Sequence, residues 1–183
     1  MPKYPKMVAN GSPWASAFLL SIAAFPAMAA PFGIDAGTKV SALKVIEREG
    51  TKTYRVEVPQ PNSNFDQYRV QASPRTGVCA VYGETKAFPT WEAAKAKRGS
   101  IAKMLTKYGK PVHVNPNLDW RTMSMRPPIE AYDLEWRKLA SPLSTVSLDV
   151  IGINGGQVVR LTYFFRNMAQ CQNWEPKQDA RGL

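Results

Sequence analysis

The strongest constraint on the fold is a two-residue alternation in the last third of the chain. Apolar side chains occupy every second position over residues 146–150 and again over residues 159–165. Such alternation predicts two strands, each with one buried face. The tripeptide 154–156, Asn-Gly-Gly, lies between them and tolerates the positive φ angles of a tight turn. The sequence therefore predicts a β-hairpin here.

Three more strands are predicted in the first half of the chain. Apolar and polar residues alternate over residues 54–58 and 68–72, which indicates two half-buried strands. Residues 73–77, Ser-Pro-Arg-Thr-Gly, have the composition of a tight turn. Residues 78–82 are apolar on both faces, so we expect a central strand there. Together the three segments predict an antiparallel meander.

Helical spacing is found in three other segments. Residues 38–50 predict a short helix capped by Thr38 and ended by Gly50. A long helix is predicted from Thr90 to Tyr108, because apolar residues recur on one side and Gly109 follows. After a linker over residues 112–126, a further helix is predicted from its apolar positions Ile129, Tyr132, Trp136 and Leu139.

These elements predict an α+β fold. We expect an antiparallel sheet of about five strands, with two or three helices packed on one face and one disulfide. Residues 30–183 form a single domain in this interpretation, with a polar tail from about residue 172.

The N-terminus has the pattern of a secretory signal peptide over residues 1–29. Lys3 and Lys6 precede an apolar run over residues 14–25, and Pro26 follows it. Small residues stand at Ala27 and Ala29, where a signal peptidase reads the chain. The apolar run is shorter than the roughly 20 residues that a membrane-spanning helix needs. The chain is therefore expected in the periplasm, or secreted; the alternatives are an uncleaved anchor or a buried core helix.

Removal of the signal leaves 154 of the 183 residues and lowers the net charge from +10 to +8, since only Lys3 and Lys6 are lost. A basic exported protein can meet an acidic protein surface or an anionic envelope polymer. Nucleic acid is not expected, because no nucleic-acid-binding motif is present. No transmembrane segment is expected after cleavage, and no cofactor is implied.

The two cysteines predict one disulfide, Cys79–Cys171, because an exported chain meets an oxidising compartment. The alternative is a cysteine nucleophile activated by His113, the one histidine of the chain. Two cysteines and one histidine make a poor zinc site, which takes four ligands. Glu130 and Asp133 are one helical turn apart and could hold a cation, but a solvated or ion-paired role fits two lone carboxylates better. We therefore predict no catalytic residue and no metal ligand.

Residues for partner binding are predicted on the long helix and in the linker. Lys95, Lys103, Lys107 and Lys110 fall on the side opposite the apolar positions. They could bind an acidic surface or simply form a solvated face. Trp120 and Arg121 in the linker are candidate anchors for a partner, since these residue types dominate binding energies; Trp120 could instead fold onto the core.

Three phrases carry a resemblance: Phe-Gly-Ile-Asp-Ala-Gly-Thr at residues 32–38, Ser-Pro-Arg-Thr-Gly-Val-Cys at residues 73–79 and Lys-Tyr-Gly-Lys-Pro at residues 107–111. They resemble small exported proteins of Gram-negative bacteria, most of them uncharacterised, so the resemblance implies export and brings no activity. The lead into a short helix also resembles periplasmic BamE-like modules, which pack helices on a small antiparallel sheet and bind other proteins.

The function expected from the sequence is a non-enzymatic, protein-binding domain of the cell envelope. It would act as an inhibitor or immunity-like protein, or as an accessory in envelope assembly. Its partner would be an envelope or periplasmic protein with an acidic surface. The alternatives are an enzyme that acts on an envelope polymer, and a carrier of a small or lipid-like ligand in a pocket between sheet and helices.

Mass spectrometry of the exported protein should find its N-terminus near Ala30, because the small residues before it suit the peptidase. Replacing Ala29 with a bulky residue should slow processing, whereas Ala23→Leu inside the apolar run should not. A soluble exported protein that still begins at Met1 would contradict the prediction.

Overall fold

A computed structural model describes residues 30–114 and 133–174. The signal peptide predicted over residues 1–29 lies outside this part of the chain, as does the tail from residue 175. The described residues form one antiparallel sheet of eight strands: β1 (Lys44–Arg48), β2 (Thr53–Glu57), β3 (Gln67–Ser73), β4 (Gly77–Glu84), β5 (Val112–Val114), β6 (Asp133–Arg137), β7 (Leu143–Ile153) and β8 (Gly156–Phe165). The spatial order is β1-β2-β3-β4-β8-β7-β6-β5.

The sheet consists of two meanders that meet where β4 pairs with β8. Residues Ala80–Glu84 of β4 run antiparallel to Arg160–Phe164 of β8. The predicted fold, a sheet of about five strands with two or three helices on one face, is wrong. The described residues form a sheet of eight strands, and they include only two α-helices, one of them five residues long. These helices are α1 (Trp91–Met104) and α2 (Met168–Gln172), and the second is a single turn or so. Strands β2, β3 and β4 and the final hairpin lie where the sequence pattern predicted them.

The helix predicted over residues 38–50 is wrong. Only a 3₁₀ turn, Val40–Ala42, forms there, and the following residues make β1, whose side chains are all exposed. Val40 and Leu43 do pack against the core, but Ile46, the next apolar position of the helical spacing, is exposed. The β-branched pair that follows them suits a strand, and β2, the next strand along the chain, provides its hydrogen-bonding partner.

The helix predicted through Trp136 is also wrong over its described part. Residues Asp133–Arg137 form strand β6, in which Leu134 and Trp136 are buried. Trp136 and Leu139 belong to the core as predicted, but through a strand and the turn after it. In the expected linker, Val112–Val114 is strand β5, so His113 lies in a strand and not in a loop.

Helix α1 confirms the prediction of a long helix after Thr90. The Thr90 side chain accepts a hydrogen bond from the amide of Ala93, at 3.2 Å, and so caps the first turn. A 3₁₀ turn, Thr106–Tyr108, continues the helix before Gly109 ends it at a φ of 87°. Helix α1 packs on β7 and β8. Within residues 30–114 and 133–174, no helix combines the length and the hydropathy needed to cross a bilayer.

The core lies on one face of the sheet, which we call the core face. Helix α1 covers the β7–β8 side of this face through Ala94, Ile101 and Leu105. The segment before β1 and the β2–β3 loop cover the remainder with an aromatic cluster. In this cluster the Phe32 ring makes edge contacts with Phe65, Tyr68 and Tyr163, at centroid distances of 5.5, 4.9 and 5.6 Å. Such pairs contribute about 0.5–1.5 kcal/mol each beyond their burial.

The predicted disulfide is confirmed. Cys79 in β4 is bonded to Cys171 in α2, with a Cα–Cα distance of 6.2 Å across a sequence separation of 92 residues. Both cysteines are fully buried. A loop of this length is worth roughly 4–5 kcal/mol in the chain-entropy model. The bond also fixes α2 on the sheet, and this matters because a helix of this length is not stable alone.

Gly83 should tolerate no side chain. A Cβ there would approach Phe32 Cζ and Phe65 Cγ at 2.9 Å each, inside the aromatic cluster. We expect Gly83→Ala to lower the free energy of unfolding by about 1–3 kcal/mol, as overpacking of cores does. Urea denaturation measures the change.

Gly99 provides the matched control for this substitution. It lies inside α1 with nothing within 4 Å of a built Cβ, so Gly99→Ala should stabilise the protein by about 0.5–1 kcal/mol through helix propensity. Equal effects of the two substitutions would contradict the packing of the aromatic cluster.

Candidate functional site

The four lysines predicted for partner binding lie on one side of α1 and on the turn after it. We call Lys95, Lys103, Lys107 and Lys110 the basic surface. Lys95 is half-buried and the other three are exposed. The Lys107 ammonium lies 5.0 Å from the centroid of the Tyr108 ring. Among the described residues, none of the four lysines forms an ion pair.

The packing of α1 explains why these lysines face outward. Ala94, Ile101 and Leu105 are nearly inaccessible and recur at helical spacing, so they fix the side of the helix that contacts the sheet. Lys103 is half a turn away from Ala94 on a helical projection. The basic surface is therefore positioned by a packed helix and is not part of a free loop. Trp120 and Arg121 lie outside the described residues, so their role as anchors stays a prediction.

The other face of the sheet, the open face, carries a chain of alternating charges that the sequence did not single out. Arg69 pairs with Glu49 at 2.6 Å and with Glu84, and Glu84 also accepts from Arg160 at 2.5 Å. Glu84 is only 7% exposed although it is charged. Two guanidinium groups satisfy its carboxylate, which is the condition for keeping a charge away from water. This network is structural, because its charges compensate one another.

The sequence indicated part of this network through the polar positions of its alternating strands. Arg69 and Arg160 stand at the outward positions of their strands in the sequence pattern. Sequence spacing shows that both side chains leave the core, but it does not show that they meet on Glu84. That contact depends on the register in which β4 lies between β3 and β8.

Beside this network, three carboxylates lie on the same face of β6 and β7. The register that pairs Leu134 with Leu148 puts Asp133 opposite Asp149, and Glu135 follows on the same face. Burial raises the pKa of Asp133 to about 7, and the charge of Asp149 adds to the shift. Burial also raises the pKa of Asp149, against the hydrogen bond from Ser147 at 2.8 Å. One member of this acidic group can therefore exchange a proton near neutral pH.

No cysteine nucleophile is available, because both thiols are consumed by the disulfide. His113 lies on β5 at the edge of the sheet, and three strands separate β5 from the strand of Cys79. At roughly 4.8 Å between neighbouring strands, the two are about 19 Å apart. Over residues 30–114 and 133–174, no group of three or more His, Cys, Asp or Glu side chains could hold a metal ion.

A cleft opens where β2 and β3 separate. Their pairing ends at Arg55 and Arg69, and beyond it the strands diverge around a space of about 500 Å³. Val56 and Tyr68 contribute to its apolar wall. Arg55 also lines the cleft; its guanidinium is paired with Glu47 at 2.6 Å, and its Nε atom is buried without a hydrogen-bond partner. The volume is within the range of small-molecule sites. This cleft lies between two strands and not between the sheet and the helices, where the sequence placed a ligand pocket.

Comparison with known proteins finds no match to this chain among family models, curated proteins or solved structures.

Protonation of Asp133 should make stability depend on pH. Its folded pKa of about 7 lies above the unfolded value of about 3.9. The folded state therefore binds the proton more tightly, and this contribution to stability is complete below pH ~4 and is lost as the pH rises through ~7. Asp133→Asn should remove this loss. As the pH rises from 4 to 8, the free energy of unfolding of the variant should therefore increase by at least about 1 kcal/mol relative to that of the wild type.

Urea denaturation at several pH values measures this difference. Asp35→Asn is the control, because Asp35 is exposed and its carboxylate makes no hydrogen bond within the described residues. Parallel pH profiles for wild type and Asp133→Asn would show that Asp133 titrates normally.

Proposed function

We propose that this chain is an exported domain of the cell envelope that binds another protein and has no catalytic activity of its own. The partner is a periplasmic or envelope protein with an acidic surface. The domain would inhibit or neutralise that partner, or assist it in envelope assembly. The basic surface on α1 is the contact region.

The observation that carries the proposal is the difference between two charged regions. On the open face, Arg69 and Arg160 are neutralised by carboxylates of the same molecule. On the basic surface, Lys103, Lys107 and Lys110 are exposed, and none of them forms an ion pair with a described residue. Uncompensated charge attracts a complementary surface over a distance and accelerates association, whereas compensated charge does not.

Rigid placement supports the same conclusion. The helix that presents Lys95 and Lys103 is capped by Thr90 and packed along the sheet through Ile101. A partner that binds this surface does not have to order it, so little conformational entropy is lost in the backbone on binding. The remaining cost is the restriction of the lysine side chains themselves.

The β2–β3 cleft favours a second candidate, a carrier of a small amphipathic ligand. Its volume of about 500 Å³ and its apolar residues, such as Val56 and Val58, suit an acyl chain or a ring. Arg55 lines the cleft as a polar residue, and its guanidinium is paired with Glu47 at 2.6 Å. The cleft also contains Glu57 and Asp66, which would repel an anionic head group.

Replacing Lys95, Lys103 and Lys107 together with Gln should slow association with the partner by at least about tenfold at low salt, because steering is lost. The salt dependence of the association rate should fall with it. The partner is first recovered from periplasmic extract by the tagged protein, and association is then measured by surface plasmon resonance at several ionic strengths.

Lys39, Lys44 and Lys86 replaced with Gln form the control, since these exposed lysines lie outside α1 and keep the change in net charge equal. Both variants should unfold within about 0.5 kcal/mol per substitution of wild type. Equal association rates for the two variants would refute the basic surface as the contact region. A pull-down that recovers no protein, with a small molecule in the native mass spectrum, would favour the carrier.

A further inference from the structure

A second cavity lies at the end of the sheet, between the β3–β4 turn and α2. Its volume is about 460 Å³, and it is lined by Arg75, Thr76, Gln170, Asn173 and Trp174. Four of these five side chains are polar and none is a carboxylate. The composition excludes a purely apolar ligand and disfavours a cation.

Three bonds hold the two walls of this cavity together. The disulfide joins Cys171 of α2 to β4, and the Asn167 side-chain amide donates to the carbonyls of Thr76 and Val78 at 3.2 and 3.0 Å. Within the turn, the amide of Thr76 donates to Ser73 Oγ at 3.1 Å. The cavity is therefore formed before any ligand arrives, which lowers the entropic cost of binding.

The indole of Trp174 is also fixed. Lys52 lies 5.8 Å from the ring centroid, and its ammonium donates to the carbonyl of Gln172 at 2.7 Å. A cation next to the ring stabilises its position by about 0.5–1 kcal/mol at an exposed site. The cavity thus has a rigid, flat apolar surface next to its polar groups.

Three of the polar side chains that line the cavity have no partner among the described residues. Arg75, Gln170 and Asn173 are exposed, and their side chains make no hydrogen bond or ion pair with a described residue. Gln and Asn amides each offer donors and an acceptor, and Arg offers a planar pair of donors that matches a carboxylate. These groups can bind a ligand without first breaking internal bonds.

We infer that this cavity binds an acidic saccharide, a sugar that carries a carboxylate. The C–H face of a sugar ring packs on the Trp174 indole. The hydroxyl groups of the sugar donate hydrogen bonds to, and accept them from, the side-chain amides of Gln170 and Asn173. The carboxylate pairs with Arg75. The site is independent of the basic surface, because it lies at the turn and α2 and contains no residue of α1.

The test uses a short oligogalacturonate as the probe, with a chitin oligosaccharide of equal length as its neutral counterpart. Isothermal titration calorimetry should show binding of the uronate. Trp174→Ala should weaken that binding at least about tenfold, whereas Trp174→Phe, which keeps an aromatic ring, should weaken it less. Arg75→Gln should weaken uronate binding about tenfold and leave the neutral sugar within about twofold, since it removes only the charge-assisted pair.

Lys103→Gln is the control for charge, and it should leave uronate affinity within about twofold while it slows partner association. This separates the cavity from the proposed function. The inference is overturned if Trp174→Ala and Arg75→Gln bind the uronate as wild type does. It is also overturned if a poly-glutamate peptide binds the same cavity as tightly, because the cavity would then recognise carboxylates without the sugar.

Discussion

The pairing of β4 with β8 is the interaction on which the rest of the structure depends. It joins two meanders that are each local in sequence, through contacts such as Val81 with Tyr163 and Gly83 with Leu161. On the core face, the same register brings Tyr163 against Phe32. Closing a loop of some eighty residues costs conformational entropy before these contacts form, so both faces must contribute to stabilise the pairing.

The open face and the end of the sheet supply that contribution. Arg160 of β8 reaches Glu84 of β4, which places an ion pair directly across the junction. Beyond the other end of the paired segment, the disulfide links Cys79 to the helix that follows β8. An aromatic cluster, a buried ion pair and a covalent bond thus act on one pair of strands. The buried ion pair adds specificity of register as well as energy, because Glu84 without Arg69 and Arg160 would be a costly buried charge.

This arrangement separates the structural charges from those available for binding. Carboxylates on the central strands are used to neutralise the arginines of the open face. The lysines of α1 form no ion pair with a residue that the structure describes, and the helix packs on the sheet through apolar side chains such as Ile101. The helix therefore displays a part of the excess positive charge, and other exposed cations such as Lys39 and Lys86 lie elsewhere on the surface. The cavity at α2 is a third region, and its walls depend on the disulfide that also secures the sheet.

The local patterns of the sequence predicted much of the fold. The hairpin β7–β8, the three strands β2–β4, the helix after Thr90 and the disulfide all follow from alternation, helical spacing, turn residues and cysteine count. The strands and the helix are encoded by residues that are close in sequence. The disulfide follows because two cysteines can pair in only one way. The basic surface was found in the same way, since helical spacing gives both faces of a helix at once.

Only the tertiary structure decided the size of the sheet and the partners of its charges. Strands β1 and β6 were predicted as helices, because the partly buried Val40, Leu43 and Leu139 and the buried Trp136 fit helical spacing as well as they fit short strands with turns. Each of these strands pairs with the next strand along the chain, β1 with β2 and β6 with β7, and the pattern of one short segment does not reveal that pairing. The pairing of Arg160 with Glu84 and of Asp133 with Asp149 depends on register, which is a property of two strands together.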